Sequence, residues 1–257
     1  MLAAARKELL LERLRAEGRI IAKEIALELG LSEDSIRRDL RELDAQGLAV
    51  RVYGGALPAS PTVADYTTRT LVAVESKRRV AAAAAELVSP GSTIILDGGT
   101  TSLALTQALP RSFEGTIITH SPTIATALLR YKAEVFLIGG KIFRHSAVTC
   151  GTLAVEAANT ISADMFFLGV TGIHPTAGLT TGDAEEAAMK RALASRAAET
   201  YVLCSDEKIG AASRYTVLPF SAITGAIVDT PANDRRSREL TRAGLHLIHA
   251  NSLPRER

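Results

Sequence analysis

"LSEDSIRRDLRELDAQGLAVRVYGGAL", residues 31–57, carries three arginines on one short helix and runs on to a glycine pair. Ser32 stands as an N-cap, with Glu33 and Asp34 suited to the positive end of the helix dipole. At helical spacing Ile36, Leu40 and Leu43 share one arc and form the stripe to be buried, leaving Arg38 and Arg41 opposite and Arg37 beside them. Upstream, 22–29 reads as a second short helix with Ile25 and Leu29 four apart, and Gly30 is placed for a left-handed C-cap. Helix, three-residue turn, helix is helix-turn-helix spacing. A first amphipathic helix precedes it, with Leu9, Leu10 and Leu14 recurring after Met1 and Leu2 until Gly18. Downstream, "LAVRVY" alternates as a strand, with Leu48, Val50 and Val52 on one face and Arg51 on the other; Gly54 and Gly55 end it, as the wing of a winged helix requires.

The rest of the chain sets bounds. Its 257 residues, 47% hydrophobic, suffice for a small domain plus a medium one. With 30 basic and 28 acidic side chains the net charge is +2, so no global field draws the protein to nucleic acid or an anionic membrane, and any basic footprint is local. Cys150 and Cys204, far apart in apolar surroundings, give neither a disulfide framework nor a four-ligand zinc site, and a reducing cytoplasm fits best. The N-terminal "MLAAARKELLLERLRAEG" is too regularly charged for a signal peptide, and the charge-poor run 115–129 is too polar to span a membrane.

Residues 56–72 lack periodicity and read as a linker, followed by a helix over 76–88. Strands at 92–97, 115–120, 134–140, 164–170, 200–205, 223–229 and 245–250 then alternate with helices at 101–109, 122–130, 151–160, 183–198 and 236–243. Such alternation of apolar strands with helices predicts an α/β domain with a largely parallel sheet covered on both faces. The domain boundaries follow as 1–57, a linker over 58–74, and 75–257.

These residues resemble the DeoR-type (deoxyribose operon repressor) transcription regulators. "LSEDSIRRDLRELDAQGLAVRVYGGAL" is similar to that family's recognition helix and glycine-tipped wing. "DGGTTSLALTQAL" resembles its Asp-Ser-Gly-Thr-Thr loop, "ITHSPTIATAL" its Thr-Asn-Ser loop, "LIGGKIF" its Gly-Gly loop and "SDEKIGAASRYTV" its lysine segment, in order and over nearly the whole chain. The resemblance implies an N-terminal winged helix-turn-helix and a C-terminal Rossmann-like domain similar to ribose-5-phosphate isomerase, used to sense a phosphorylated sugar. Three positions depart from the pattern: Gly98 replaces serine, His120 asparagine, and Ser205 the aspartate of Asp-x-x-Lys.

Residues 1–55 hold ten basic and ten acidic side chains, a balance that by itself reads as a solvated surface. Position decides otherwise, because the second helix of a helix-turn-helix enters the major groove, where arginine bonds guanine O6 and N7 or flanking phosphates. Arg37, Arg38 and Arg41, with Ser35 at the edge and Arg51 on the wing, are the expected contacts to double-stranded operator DNA; which reads a base is open. Asp39, near the buried edge of the helix, is expected to pair with an arginine rather than touch DNA.

In the second domain, Gly98, Gly99, Thr100, Thr101 and Ser102 lie where a strand passes into a helix, a site whose exposed N–H groups and hydroxyls suit phosphate. Asp97 is expected to accept hydrogen bonds from sugar hydroxyls. His120 and Ser121 end the next strand, Gly139, Gly140 and Lys141 the one after, and Lys208 takes the family's lysine position. The stretch 180–190 reads as a helix N-capped by Asp183, with Glu185 in its first turn. His246 and His249 fall on opposite strand faces and make no metal pair. No nucleophile with an adjacent base, nucleotide-binding glycine loop or cofactor motif is present. The expectation is a regulator, a repressor on the family's pattern, and a homodimer or homotetramer because two-fold operators need two reading heads. Its rival is a sugar-phosphate isomerase with an accessory DNA-binding head, for which Asp97, Asp183 and Lys208 are the obvious groups.

Overall fold

The computed structural model describes residues 2–60 and 66–250. The first unit runs α1 (Ala3–Glu17), β1 (Ile20–Ile21), α2 (Ala22–Leu29), α3 (Glu33–Ala45), β2 (Ala49–Val52) and β3 (Gly55–Pro58). Gly18 and Gly30 close α1 and α2 in left-handed caps, and Ser32 caps α3 by accepting the Ser35 N–H at 3.3 Å. Leu10, Leu14, Ile36, Leu40 and Leu43 meet Ile20, Ile25 and two strand alanines in one core. Asp39 is buried there and accepts from Arg6 of α1, so the expected arginine comes from a different helix.

The wing differs from expectation in its buried face. Ala49 is inside, while Leu48 and Val52 are exposed. The small residues Ala49 and Ala56 let the helices close onto the β2–β3 ladder, which bulkier side chains would hold apart. The glycine pair ends β2 as expected: Gly54, at φ 79°, makes the turn, and Gly55 opens β3 so close to β1 that a Cβ would lie 1.7 Å from the Ile20 carbonyl oxygen.

The second unit continues with α4 (Tyr66–Thr70), α5 (Val74–Ala85), β4 (Thr93–Leu96), α6 (Thr100–Ala108), β5 (Thr116–Thr119), α7 (Pro122–Leu128) and β6 (Glu134–Leu137). A hairpin of β7 (Lys141–Phe143) and β8 (Val148–Cys150) leads to α8 (Thr152–Ala158), β9 (Ala163–Gly169), β10 (Gly172–His174), β11 (Gly178–Thr181) and α9 (Ala184–Ala194). β12 (Ala197–Cys204), β13 (Tyr215–Thr216), β14 (Gly225–Val228), α10 (Arg235–Arg242) and β15 (Leu247–His249) complete it. Seven strands form one parallel sheet in the order β15-β14-β12-β9-β4-β5-β6.

Period-2 alternation splits its core in two. Ile95, Phe166, Leu168 and Val202 point to the side of α8, α9 and α10; Ile94, Leu96, Phe167 and Leu203 point to α5, α6 and α7. A strand buried on both faces reads as an unbroken apolar run, which is why these strands are conspicuous in the sequence. The hairpin and the three-stranded β10-β11-β13 sheet lack such a run, because their short strands mix polar residues and glycine with the apolar ones, and they do not stand out in the sequence.

From β4 the chain proceeds outward through β5 and β6, then returns to place β9 on the other side of β4. The switch point between β4 and β9 is where an open α/β sheet offers a crevice at its carboxyl edge.

The stretch expected as a linker is partly tied down; its residues 61–65 lie outside the described residues, as do Met1 and 251–257 of the expected domains. The Pro58 carbonyl accepts from Ala212 N at 3.0 Å, Ser60 N donates to the Ala212 carbonyl at 3.2 Å, and Ser60 Oγ donates to the Thr171 carbonyl at 2.5 Å. This seam continues the wing strand into the second unit. Beside it, His174 donates to the Gly18 carbonyl at 3.2 Å and Arg214 lies 3.5 Å from Asp44. Burial pushes the His174 pKa down. A cleft of about 730 Å³ opens between the units, bordered by Arg19, Ala59, His174, Glu207, Arg235 and Leu240.

Candidate functional site

The outer face of α3 presents Arg37, Arg38 and Arg41 to solvent, and Arg51, carried by β2, is exposed as well. The arginines differ in their neighbours. Arg37 is held at 2.7 Å by Glu33, one turn earlier, whereas Arg38, Arg41 and the Arg51 side chain have no ion-pair partner among the described residues. Ser35 Oγ sits 2.9 Å from Ser32 Oγ, inside the cap. Tyr53 stands fully exposed at the wing tip, a residue that sequence reasoning did not single out.

The second candidate site lies at the switch point. Gly99, at φ 103°, turns the chain from β4 into α6 and leaves the first N–H groups of that helix without intrahelical partners. Gly98 has a steric reason: a Cβ there would lie 1.9 Å from Val148 Cγ1, so the valine branch fills the room a serine would need. Gly98, Gly99, Thr100 and Thr101 border an opening whose other walls include Gly169 at the end of β9, Thr171 after it, Ser146 in the β7–β8 turn, and Arg69 of α4. Three cationic side chains, Arg69, Lys190 and Lys208, face it, as do the carboxyl groups of Glu186 and Glu207.

Lys208, in the short 3-10 turn Asp206–Lys208 after β12, is buried and donates to Thr101 Oγ1 at 2.9 Å. No carboxylate pairs with it among the described residues, and burial pushes its pKa down even though the neighbouring Glu207 charge opposes this. A buried lysine so placed, next to helix N–H groups without intrahelical partners, has the chemistry to receive an anion.

Asp97 is positioned otherwise than expected. Its Oδ1 accepts from Gly98 N at 2.7 Å and His120 Nε2 at 2.7 Å; its Oδ2 accepts from Gly169 N at 2.8 Å and Lys190 Nζ at 2.6 Å. Two donors on each oxygen, in a fully buried carboxylate, leave nothing to offer a sugar hydroxyl. Burial alone would raise the Asp97 pKa, but the Lys190 charge and the His120 hydrogen bond outweigh it and hold the carboxyl far below the usual range. Conversely, burial would lower the Lys190 pKa, and Asp97 and Glu186 reverse that to a raised value.

Asp97 therefore knots the ends of β4, β5 and β9 to α9. Lys190 is the residue that sequence reasoning missed. It lies one turn after Glu186, 3.6 Å away, on the face of α9 that also buries Ala187 and Leu193. A Glu–Lys pair on the apolar stripe of a helix was the available signal.

The remaining expected residues stand outside the opening. Ser102 is buried under it, with Oγ 3.4 Å from the Gly98 carbonyl. His120 bridges Asp97 and the Thr149 carbonyl, and Ser121 Oγ bonds the Ala147 carbonyl at 3.1 Å, so both fasten the β7–β8 hairpin instead. Gly139, Gly140 and Lys141 are exposed, with Lys141 3.7 Å from Glu185. Asp183 caps α9 by accepting the Glu186 N–H at 3.0 Å. Burial pushes both the Cys150 and Cys204 thiols up to about 12, which makes them poor nucleophiles. Among the described residues no group of His, Cys, Asp and Glu could hold a metal ion, and no helix is long and apolar enough to cross a membrane.

Comparison with known proteins brings both units together. Residues 6–62 match the DeoR-like helix-turn-helix domain and residues 72–230 the DeoR C terminal sensor domain. The chain is 31% identical over 253 residues to the HTH-type transcriptional regulator GlpR of Haloferax volcanii, covering 96% of this chain and 98% of that one. It is 27% identical over 224 residues to the glycerol-3-phosphate regulon repressor of Escherichia coli, covering 86% and 89%. Among solved structures, ribose 5-phosphate isomerase A of Methanocaldococcus jannaschii aligns with 52% of this chain and 54% of its own, at 18% identity and a TM-score of 0.38. With both family domains matched in order, from the reading helix through the sensor sheet, the chain belongs to the DeoR family of helix-turn-helix transcriptional regulators.

Proposed function

We propose that this protein is a cytoplasmic repressor of a sugar-metabolism operon, released from its operator by a phosphorylated sugar bound between β4 and β9. The observation that carries the effector half is the buried Lys208 side chain, which has no anionic partner among the described residues and is bonded to Thr101 beside the open N-terminus of α6. Gly98, Gly99, Thr100 and Thr101 supply the phosphate cradle, with Arg69 and Lys190 adding positive charge. The DNA half rests on Arg38 and Arg41, exposed on α3 and without ion-pair partners among the described residues, with Arg37 and Ser35 on the same helix and Arg51 on the wing. Residues 1–57 act as the reading head and 75–257 as the sensor, assembled as a homodimer or homotetramer so that two heads meet a two-fold site.

Sensing is favoured over isomerisation by the state of the groups that catalysis would use. Asp97 has both oxygens engaged, and Asp183 is occupied as a helix cap. An effector acts here by binding one arrangement of head and sensor better than another, which shifts their populations.

The test is fluorescence anisotropy with operator duplexes that the full-length protein selects from a random library, titrated with pentose and hexose phosphates and their unphosphorylated sugars. One phosphate that lowers DNA affinity while its parent sugar does not is the expected result; unchanged affinity across the panel removes the sensor reading. A coupled isomerase assay on the same compounds should stay at background.

A further inference from the structure

We propose that Glu207 sets the specificity of this pocket: one of its carboxylate oxygens selects an effector with a single anionic group and, away from it, a hydroxyl or ammonium donor, and it rejects a second anionic group. The proposal rests on the sugar-phosphate reading above and names the class of sugar phosphate.

Glu207 is adjacent to Lys208 in the turn Asp206–Lys208 and borders the same opening. Its two oxygens are treated differently. Oε1 accepts from Ser205 Oγ at 2.8 Å, whereas Oε2 is buried and has no hydrogen-bond partner among the described residues. Such an orphaned acceptor is uncommon in a folded interior, where nearly every buried polar group finds a donor.

Ser205 is one of the three departures from the family pattern. A serine hydroxyl can donate to Glu207 and fix its rotamer; an ionised aspartate at that position would have no hydrogen to give and would repel it. The departure at 205 and the carboxylate at 207 thus act as one device.

The opening consequently carries both signs of charge: the Gly98–Thr101 loop with Lys208, Lys190 and Arg69 supplies the positive groups, and Glu207 with Glu186 the negative ones. A monophosphate places its anion on the first and its donors on the second. A bisphosphate is forced to bring a second dianion towards a carboxylate. Glu207 also borders the cleft between the units, so a ligand that engages it touches the wall shared by sensor and reading head.

The experiment is calorimetric titration of the full-length wild type, Glu207→Gln and Glu207→Ala with glucose 6-phosphate, glucosamine 6-phosphate, fructose 6-phosphate, ribose 5-phosphate, fructose 1,6-bisphosphate and ribulose 1,5-bisphosphate. Melting curves of the unliganded variants verify that they fold. For the wild type, a monophosphate should bind roughly tenfold or more tightly than the matching bisphosphate, as loss of a charged hydrogen bond implies. Glu207→Gln should narrow that gap and Glu207→Ala should weaken the monophosphate as well. If the donor is ammonium, glucosamine 6-phosphate outranks glucose 6-phosphate only while Glu207 is present; if it is hydroxyl, the two rank together and fall together. An unchanged monophosphate-to-bisphosphate ratio in both variants overturns the role of Glu207 and leaves the sensor reading intact. Absence of phosphate binding to the wild type overturns the sensor reading and this proposal with it.

Discussion

The reading head and the sensor pocket both depend on cationic side chains, yet they hold them in opposite ways. Arg38 and Arg41 stand in water on a single helix, and nothing around them must move for a phosphate or a base edge to approach. Lys190 and Lys208 are buried, and their surroundings come from four separated stretches of chain around residues 97, 169, 190 and 208. An exposed charge is free to exchange partners at small cost and suits rapid, salt-dependent association. A buried one has to be compensated by a fixed environment, so it can discriminate among ligands but also becomes part of what keeps the domain folded.

The largest break in that comparison should come from Asp97→Ala. It leaves Lys190 and His120 buried without their shared acceptor and is expected to cost about 3–5 kcal/mol in chemical denaturation. The same knot predicts the acid limb. The folded-state pKa of Asp97 is depressed, so its contribution is complete above the unfolded value, about 4, and is lost as pH falls below it. The stability gap between wild type and Asp97→Asn should therefore shrink as denaturation is followed from pH 6 to pH 3.

On the head, Arg41→Ala should leave stability nearly unchanged and weaken operator binding by about 1–3 kcal/mol if Arg41 reads a base, with discrimination lost at one position. A uniform weakening with a shallower salt dependence would assign it to phosphate instead. Ser32→Ala removes the cap of α3 and should cost about 1 kcal/mol in thermal unfolding, with no change in which sequence is preferred. The smallest effect is expected from Arg37→Ala, since Glu33 already holds that guanidinium; anisotropy should detect a loss below that of Arg41→Ala, and a larger one would mean that Glu33 releases Arg37 on DNA.

The order of helices and strands could be read from the sequence because the information is local: a capping serine, a stripe at helical spacing, an apolar run for a strand covered on both faces. The arginine face of α3 was legible for the same reason. The pocket was only half legible. Its Gly98–Thr101 loop announces itself between a strand and a helix, but the state of Asp97 depends on Lys190, 93 positions away. Nor could periodicity tell that His120 would turn inward to Asp97, or that the β2 ladder would bury alanine and expose leucine and valine. Those outcomes are set by which surfaces arrive from elsewhere in the chain.

The seam between wing and sensor bears on how such proteins can be recombined. Two of its three hydrogen bonds, at Pro58 and Ser60 against Ala212, are made by main-chain atoms alone and would survive wide variation in side chains. The Ser60 hydroxyl, on the Thr171 carbonyl, and Asp44, 3.5 Å from Arg214, ask for particular residues. A head from a relative could therefore be grafted onto this sensor and remain in mechanical register, provided that the junction is placed after residue 60 and the donor brings a hydroxyl there and a carboxylate at position 44. Fusion at residue 57, the boundary drawn from composition, would cut the shaft just ahead of its coupling.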